Sequence, residues 1–344
     1  MKKYTILLLT FPFLLLASIS KENFVPGEPI EKGIEAGDIN LPARYEVDHS
    51  YNLYFGGSFL YWYTQQAGLE VGRQRIIQAS QSKISDNLDV DFDYEPGFNV
   101  FVGKKLCWDH WNVYLDYTRL HFTVSQTYNS PDNTYYVPYW LSAVIYPTTT
   151  ITTMHGSWRL KYDMFDFMIT RPFYVGRRLI ITPEMGLRGG VINQRYRATY
   201  GNQGGVSAKQ NSWLVGPRAM ADMNWLIAYG FSFDAYVGGG LYYQHFDISD
   251  QQMVPTNIYP LQLDKETQNV TPHFQIGGGL GYNQYFANDR WHVSLDLLYN
   301  FEVYLHQNEM RKLSDTSHTD TDRQTSDVGD LIFHGLVVAL RFDF

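Results

Sequence analysis

The last two apolar-rich segments of the chain alternate residue by residue, which sorts side chains onto two faces when the backbone is extended. In the final segment, the apolar residues between Ile332 and Phe344 share one face, interrupted only by His334. The other face is formed by Gly335, Ala339, Arg341 and Asp343, with Val337 as an apolar exception. Segment 291–303 has a seven-residue apolar face opposite a polar one. Such strands suit a wall that has water on one side and either lipid or a large hydrophobic core on the other.

Eight earlier segments carry the same signal and bring the predicted number of strands to ten. They are 51–65, 95–107, 111–124, 158–169, 178–197, 213–225, 231–247 and 271–286. An even number agrees with closed bacterial barrels. Segment 158–169 has no clear parity, because Tyr162 and Met164 fall on one face and Phe165 and Phe167 on the other.

The connections between these segments alternate in length. The long ones are 66–94, 125–157, 198–212, 248–270 and 304–328, and the short ones are 108–110, 170–177, 226–230 and 287–290. Outer-membrane barrels have short periplasmic turns and long extracellular loops. The sequence therefore predicts an all-β protein, a transmembrane antiparallel up-and-down β-barrel with both chain ends on the periplasmic side. We expect about ten strands, within about 8 to 12, because 66–94 or 125–157 could contain a hairpin.

The composition agrees with a wall that faces lipid. Charged residues make up 18% of the chain and aromatic residues 16%, whereas a soluble domain has about 25% charged residues. Aromatic residues are expected in two girdles at the membrane interfaces. The predicted periplasmic girdle is Trp108, Trp111, Trp225, Tyr229, Phe286, Trp291 and Phe344; the extracellular one is Tyr61, Tyr63, Trp158, Tyr196, Trp213, Tyr243 and Tyr304. The net charge of -8 argues against nucleic-acid binding.

The first twenty residues predict export. Lys2 and Lys3 precede a continuous apolar run from Ile6 to Ala17, and small residues lead to Ser20. This is the pattern of a secretory signal peptide. A transmembrane anchor is the alternative, but the run is short for a span of about 20 residues. We therefore predict a signal peptide at 1–20, a periplasmic N-terminal segment at 21–50 and an outer-membrane β-barrel at 51–344.

The inward-facing charges are expected to decide what the barrel does. The candidates are Asp116, Glu184, Arg188, Arg218, Asp222, Asp234, Asp296, Glu302 and Arg341, of which Glu184, Arg188, Arg218, Asp222 and Asp234 are the predicted selectivity residues. Opposite charges four residues apart on one strand are separated by about 13 Å, so pairing across strands is expected instead. Two interpretations stay open: a charged constriction that selects solutes, and a buried ion network that plugs a narrow barrel.

Glycines form a second inward feature. Gly238 and Gly240 face inward on one strand, and Gly277, Gly279 and Gly281 face inward on the next. A wall without side chains permits sharp curvature, leaves a path for a solute, or makes room for the N-terminal segment. About eight strands leave a filled interior and about 16 to 18 leave a channel, so ten strands predict a narrow pore.

No motif for catalysis occurs in the sequence. The patterns G-x-S-x-G, H-E-x-x-H and the P-loop are absent, so we expect neither enzymatic activity nor a cofactor. The alternative is a surface protease of the omptin type, with Asp91 and Asp93 at the outer end of the second strand and His245 and Asp247 at that of the seventh. Ordinary solvated rim charge is the simpler interpretation.

Metal binding and disulfide formation are not expected either. Cys107 is the single cysteine, so the chain forms no intramolecular disulfide and no thiolate cluster. His155, His273 and His306 lack the spacing of metal ligands and are interpreted as surface residues.

Several short motifs resemble one known group. They are Phe55-Gly-Gly-Ser-Phe-Leu-Tyr-Trp62, Phe165-Asp166 with Arg171-Pro-Phe-Tyr174, Gly186-Leu-Arg188, Gly216-Pro-Arg218 and the aromatic end at Phe344. In order and spacing, they make the chain resemble the major outer membrane protein-like family of Legionella and environmental chlamydiae. The resemblance spans essentially the whole mature chain and implies a pore-forming outer-membrane protein or surface antigen. The chlamydial proteins are cysteine-rich and cross-linked, so the single Cys107 argues against a disulfide-linked coat here.

The expected function is passive diffusion of small hydrophilic solutes or ions across the outer membrane of a Gram-negative bacterium. A non-conducting adhesin or structural barrel is the alternative, since the polar loops 127–153, 248–270 and 306–328 suit either role. Expected partners are outer-membrane lipid, lipopolysaccharide and, through Phe344, the barrel-assembly machinery. A homo-oligomer is left open.

Overall fold

The computed structural model describes most of the chain beyond residue 46. The described residues are 47, 51–78, 81–107, 109–130, 134–141, 151–175, 178–253, 262–314, 323–326 and 329–344. The predicted signal peptide lies outside them, as does the predicted 21–50 segment apart from residue 47. Within this described part, no helix is long and apolar enough to cross a bilayer.

The regular structure of the described residues is β-strand. The strands are β1 (Leu53–Gln66), β2 (Gly72–Gln78), β3 (Gln81–Leu88), β4 (Tyr94–Lys105), β5 (Asn112–Asn129), β6 (Thr134–Pro138), β7 (Thr153–Thr170), β8 (Phe173–Tyr174), β9 (Leu179–Tyr200), β10 (Gly205–Ala228), β11 (Phe231–Met253), β12 (Gln262–Phe286), β13 (Trp291–Asn308), β14 (Arg311–Ser314), β15 (Arg323–Ser326) and β16 (Gly329–Asp343). Ten of them close an antiparallel barrel in the order β1-β4-β5-β7-β9-β10-β11-β12-β13-β16, and β16 pairs with β1. The predicted fold class and strand number are confirmed.

The first and last strands, β1 and β16, close the barrel together. The β1–β16 ladder runs from Tyr54 opposite Asp343 to Gln66 opposite Leu331. Beyond it, Leu53 N–H donates to the Phe344 carbonyl at 3.4 Å, and the Phe344 N–H donates to the Leu53 carbonyl at 3.1 Å. Neither terminal strand is therefore left as an open sheet edge, which would carry unpaired backbone groups.

The connections follow the prediction at one end of the barrel and depart from it at the other. Short connections join the strands at the end where β1 begins and β16 ends; they follow Lys105, Thr170, Ala228 and Phe286. At the far end, connection 67–93 contains β2 and β3 and connection 130–152 contains β6, and these three strands form a separate small sheet. The predicted long loop 198–212 is wrong, because β9 and β10 continue to a turn at 201–204.

The outward face of the wall changes character along the long strands. On β7, Phe165 and Phe167 point outward and are 59% and 44% exposed, which suits contact with lipid. Farther from the short turns, Arg159 and Lys161 occupy the exposed outward positions of the same strand. We call the apolar zone the lipid band and the polar zone beyond it the outer wall. On β9, Val191 is the last apolar outward residue before the outer wall begins.

The inward face changes in the opposite sense. In the lipid band, β7 places Asp166 in the lumen; in the outer wall, it places Trp158, Leu160 and Tyr162 there, each at most 1% exposed. This inversion explains why segment 158–169 has no clear parity. Its aromatic residues lie outside where the surroundings are lipid, and inside where the surroundings are water. It also explains the wrong loop at 198–212, since polar outward residues of a strand in water resemble loop residues.

The predicted extracellular girdle is only partly correct. Its outward-facing members are Tyr61, Tyr63, Trp213 and Tyr243. Its other members, Trp158, Tyr196 and Tyr304, are 0% exposed and belong to the hydrophobic core inside the outer wall. By the short turns, the predicted girdle residues Trp225, Tyr229, Phe286 and Trp291 are outward and exposed, and Trp108 lies outside the described residues.

Candidate functional site

A buried ion network lies in the middle of the lumen. Arg188 of β9 stands opposite Asp166 of β7 and binds it through Nε to Oδ1 at 2.7 Å and Nη2 to Oδ2 at 2.8 Å. Arg218 of β10 donates to the same Oδ2 through Nη1 and to Oε1 of Gln275. The three charged residues are at most 7% exposed. The expected pairing across strands is therefore present.

The network reaches the opposite wall at Glu302 of β13, four strands away from β9 around the ring. Oε1 of Glu302 accepts a hydrogen bond from Nη1 of Arg188 at 2.7 Å and contacts Nε2 of His273 at 2.8 Å. The hydroxyl oxygens of Tyr162 and Tyr304 lie 3.2 and 3.1 Å from the same oxygen and 2.8 Å from each other. Each hydroxyl has one proton, so one of them donates to Glu302 and the other donates to its neighbouring hydroxyl. The interpretation of His273 as a surface residue is wrong, because it is 5% exposed and faces the lumen from β12.

A layer of large side chains fills the lumen directly above this network, on the side of the outer wall. The hydroxyls of Tyr162 and Tyr304 are 2.8 Å apart although β7 and β13 are five strands apart in the ring. The ring of Phe333 lies 5.0 Å from that of Tyr162 and 5.6 Å from that of Trp62. We call these four residues the aromatic layer; none is more than 4% exposed. Opposite walls therefore touch through their side chains.

Below the network, toward the short turns, the lumen holds a cavity of about 430 Å³. It is lined by all nine predicted inward charges, Asp116, Glu184, Arg188, Arg218, Asp222, Asp234, Asp296, Glu302 and Arg341. The two arginines among the selectivity candidates belong to the ion network. Of the other three, Glu184 accepts from the Tyr114 hydroxyl at 2.6 Å and Asp234 from the Ser232 hydroxyl at 2.9 Å. Among the described residues, neither they nor Asp222 form a salt bridge.

The inward glycines make room for tyrosines. The ring of Tyr236 lies over Gly277 and that of Tyr242 over Gly240, where a Cβ atom would clash with them. The Tyr236 hydroxyl donates to Oδ1 of Asn300 at 2.8 Å. At these positions the space beside the backbone is filled by neighbouring side chains, so it is not a path for a solute. Entry of the predicted 21–50 segment lies outside the described residues.

A second buried cluster lies by the short turns, and of its members only Arg341 was among the predicted inward charges. Asp343 is 0% exposed and contacts Nζ of Lys105 at 2.8 Å, Nδ1 of His292 at 2.9 Å and Nη2 of Arg341 at 2.8 Å. The guanidinium of Arg341 also lies 4.0 Å from the ring centre of Tyr54. These contacts join β16 to β4, β13 and β1 beside the closing ladder.

The rim residues proposed for an omptin-type cleft do not face one another. His245 points outward from β11 and stacks on Trp213 at 5.9 Å, and Asp247 is outward and exposed on the same strand. Asp91 and Asp93 are exposed before β4. Among the described residues, no group of three or more His, Cys, Asp or Glu side chains could hold a metal ion. The absence of enzymatic activity stays a prediction.

Comparisons with solved structures give distant likenesses. The outer membrane protease OmpT from Escherichia coli is 10% identical with a TM-score of 0.48, over 86% of this chain and 98% of that chain. The CymD monoaromatic hydrocarbon channel is 7% identical with a TM-score of 0.30, over 86% and 89%. A Pseudomonas aeruginosa FadL homologue is 7% identical with a TM-score of 0.30, over 86% and 90%. At these scores, the likenesses carry no argument about activity.

The match to a protein family is more extensive. No curated protein matches this chain. The family model described as Legionella pneumophila major outer membrane protein precursor matches residues 47–344. That range contains all ten barrel strands and the whole lumen described above. The chain belongs to the Legionella major outer membrane protein family and is a β-barrel of the bacterial outer membrane.

Proposed function

We propose that this protein is a closed outer-membrane barrel, which holds its outer wall and loops at the cell surface and conducts no solute in its resting state. The observation that carries this proposal is the hydrogen bond between the Tyr162 and Tyr304 hydroxyls, 2.8 Å long, across the lumen. The aromatic layer around it is at most 4% exposed. These side chains have almost no contact with solvent, which supports a lumen that is closed at this level.

Electrostatics support the same proposal. A hydrated ion that passed the aromatic layer would have to lose its water against apolar rings, and burying an unpaired charge is costly. The charges directly below that layer are already paired, since Arg188 binds both Asp166 and Glu302. They hold the two walls together and have little capacity left to replace the water around a passing ion.

A passive pore for small hydrophilic solutes or ions is the second candidate, and the polar cavity favours it. Under this proposal Glu184, Asp222 and Asp234 select the solute, and the aromatic layer moves aside to connect the cavity with the exterior. Replacement of Asp222 by lysine would then change ion selectivity. Two further predictions are compatible with either function. One is recognition of Phe344 by the barrel-assembly machinery, and the other is a homo-oligomer.

Single-channel conductance in a planar bilayer tests the closed barrel. We expect the native protein to give no discrete current steps. The triple variant Trp62→Ala, Tyr162→Ala, Tyr304→Ala, which shortens three members of the aromatic layer, should give them. The matched control is Tyr61→Ala, Tyr243→Ala, Tyr299→Ala, which removes three outward rings that are 42%, 41% and 48% exposed, and it should stay silent.

Heat-modifiable migration on a gel is measured for each protein. The absence of current steps is then interpreted only for preparations in which the barrel is folded. Discrete steps from the native protein would overturn the closed barrel in favour of the pore. Equal conductance of the triple variant and its control would show that the aromatic layer is not the barrier.

A further inference from the structure

Three cations stand side by side on the outward surface of the outer wall. Arg195 of β9 is directly opposite Arg159 of β7 on one side and Lys209 of β10 on the other. All three are exposed. Adjacent strands are about 4.8 Å apart, so the three charges lie within roughly 10 Å along the sheet. We call this row the basic ladder; Lys161 and Arg197 occupy neighbouring outward positions and enlarge it.

The described part of the chain does not neutralise this ladder. Like charges directly opposite on neighbouring strands destabilise a sheet. Asp163, the nearest outward acid on β7, contacts Arg119 at 4.0 Å and His121 at 2.6 Å. Arg159 donates to the Thr123 hydroxyl at 3.0 Å, which offers no negative charge. Among the described residues, no carboxylate lies within 4.0 Å of a ladder cation.

One further acid lies near the row without pairing with it. Asp247 of β11 stands opposite Asn211, and is therefore diagonal to Lys209 across β10 and β11. It faces Glu266 of β12 on its other side. The outward surface is thus basic over β7, β9 and β10 and acidic over β11 and β12. An anionic partner would meet the basic side and be repelled by the acidic side.

The height of the ladder indicates where that partner is found. Val191 on β9 and Trp213 on β10 are each four residues closer to the short turns than Arg195 and Lys209, and are 37% and 46% exposed in the lipid band. With the rise and tilt of barrel strands, the ladder lies roughly 10 Å beyond the apolar surface. This is the level of lipid head groups in the outer leaflet.

We propose that the basic ladder binds the phosphate groups of a phosphorylated glycolipid of the outer leaflet, of the lipopolysaccharide type. Guanidinium groups bind phosphate oxygens in pairs, and Lys209 adds a third positive charge beside the two arginines. The acyl chains of the same molecule would lie against the apolar outward residues directly below. Free phosphate would satisfy the charges but would gain nothing from that apolar surface.

The test is a titration of detergent-solubilised, folded protein with purified lipopolysaccharide. The triple variant Arg159→Gln, Arg195→Gln, Lys209→Gln should bind at least about tenfold more weakly than the native protein, as expected for the loss of charge-assisted hydrogen bonds. The matched control Lys104→Gln, Arg178→Gln, Arg290→Gln removes the same charge from exposed positions near the short turns. It should bind within about twofold of the native protein.

Two further probes identify the ligand chemistry. Dephosphorylated lipopolysaccharide should bind the native protein about as weakly as intact lipopolysaccharide binds the ladder variant, and inorganic phosphate should not compete at millimolar concentration. Competition by inorganic phosphate would overturn the proposal in favour of a free-anion site. Equal weakening by the control triple would overturn it in favour of overall charge. Gel migration confirms that each variant is folded, and the single variant Arg195→Gln, with a smaller loss expected, repeats the test with minimal change.

Discussion

The lipid band and the outer wall are built by the same strands with the same alternation, yet their contents are exchanged. In the lipid band, β7 turns Phe165 outward and Asp166 inward; in the outer wall, it turns Lys161 outward and Leu160 inward. The period of two is a property of the strand. The surroundings on each side decide which face is polar. The rule that a barrel is apolar outside and polar inside therefore does not hold along the full length of a strand.

The two regions are also stabilised differently. The core of the outer wall gains from the hydrophobic effect, because its outward face is in water. The lipid band has apolar surroundings, so its inward polar groups must satisfy one another or cavity water, and a missing partner is expensive. Replacement of Leu160 and replacement of Asp166, six residues apart on β7, are thus expected to destabilise the barrel for different physical reasons.

The largest effect is expected from Asp166→Asn. This change leaves Arg188 and Arg218 buried with less compensating charge, and breaking a buried ion pair costs about 3 to 5 kcal/mol. Asp163→Asn, on the outward face of the same strand, should cost about 1 kcal/mol or less, since its partners are more exposed. Urea unfolding in lipid vesicles, followed by tryptophan fluorescence, measures both. Equal losses would mean that the ion network does not support the lipid band.

A somewhat smaller effect is expected in the outer wall from Leu160→Ala. Leu160 is 0% exposed in the core cluster, and such truncations cost about 2 to 5 kcal/mol. Lys161→Ala, the next residue and outward, should change the free energy of unfolding by about 0.5 kcal/mol or less. The same urea unfolding assay measures both changes in the free energy of unfolding. A loss below about 1 kcal/mol for Leu160→Ala would show that the outer wall has no tightly packed core.

The smallest effects on the free energy of unfolding are expected along the outward face of β9, where they should decrease from the middle of the lipid band toward the outer wall. Met185→Arg, near the middle of the lipid band, should cost about 2 to 4 kcal/mol, and Val191→Arg about 0 to 1 kcal/mol. Thr199→Arg, at an exposed outward position of the outer wall opposite His155 and Gly205, should cost nothing measurable. Unfolding free energies of the three variants would place the boundary between the two regions. A flat series would contradict the boundary at Val191.

Much of the fold could be predicted from the sequence, because the lipid band follows the alternation that barrels require. The strand containing Trp291 and the strand ending near Phe344 lie where the pattern placed them. The outer ends of β9 and β10 could not be predicted. Their outward residues, such as Arg195 and Lys209, are polar because that part of the wall stands in water, and a polar stretch without an apolar outward face resembles a loop.

The candidate site was predicted in composition but not in its contacts. The nine inward charges were found because they alternate with outward apolar residues. Asp166 was missed because the inversion on β7 hides its parity, and His273 because β12 extends farther than its apolar pattern. The bond from Arg188 to Glu302 joins strands four apart in the ring. No local pattern contains that contact, since it depends on ring closure and side-chain length.

The inversion on β7 has a consequence for the position of the molecule along the membrane normal. Sinking deeper would carry Asp163 and Lys161 into hydrocarbon, and rising would bring Phe165 and Phe167 into water, with similar changes on the neighbouring strands. Both displacements cost free energy, so the barrel has a fixed depth of insertion. In a bilayer of unsuitable thickness, we therefore expect the lipid around the protein to stretch or compress rather than the barrel to slide.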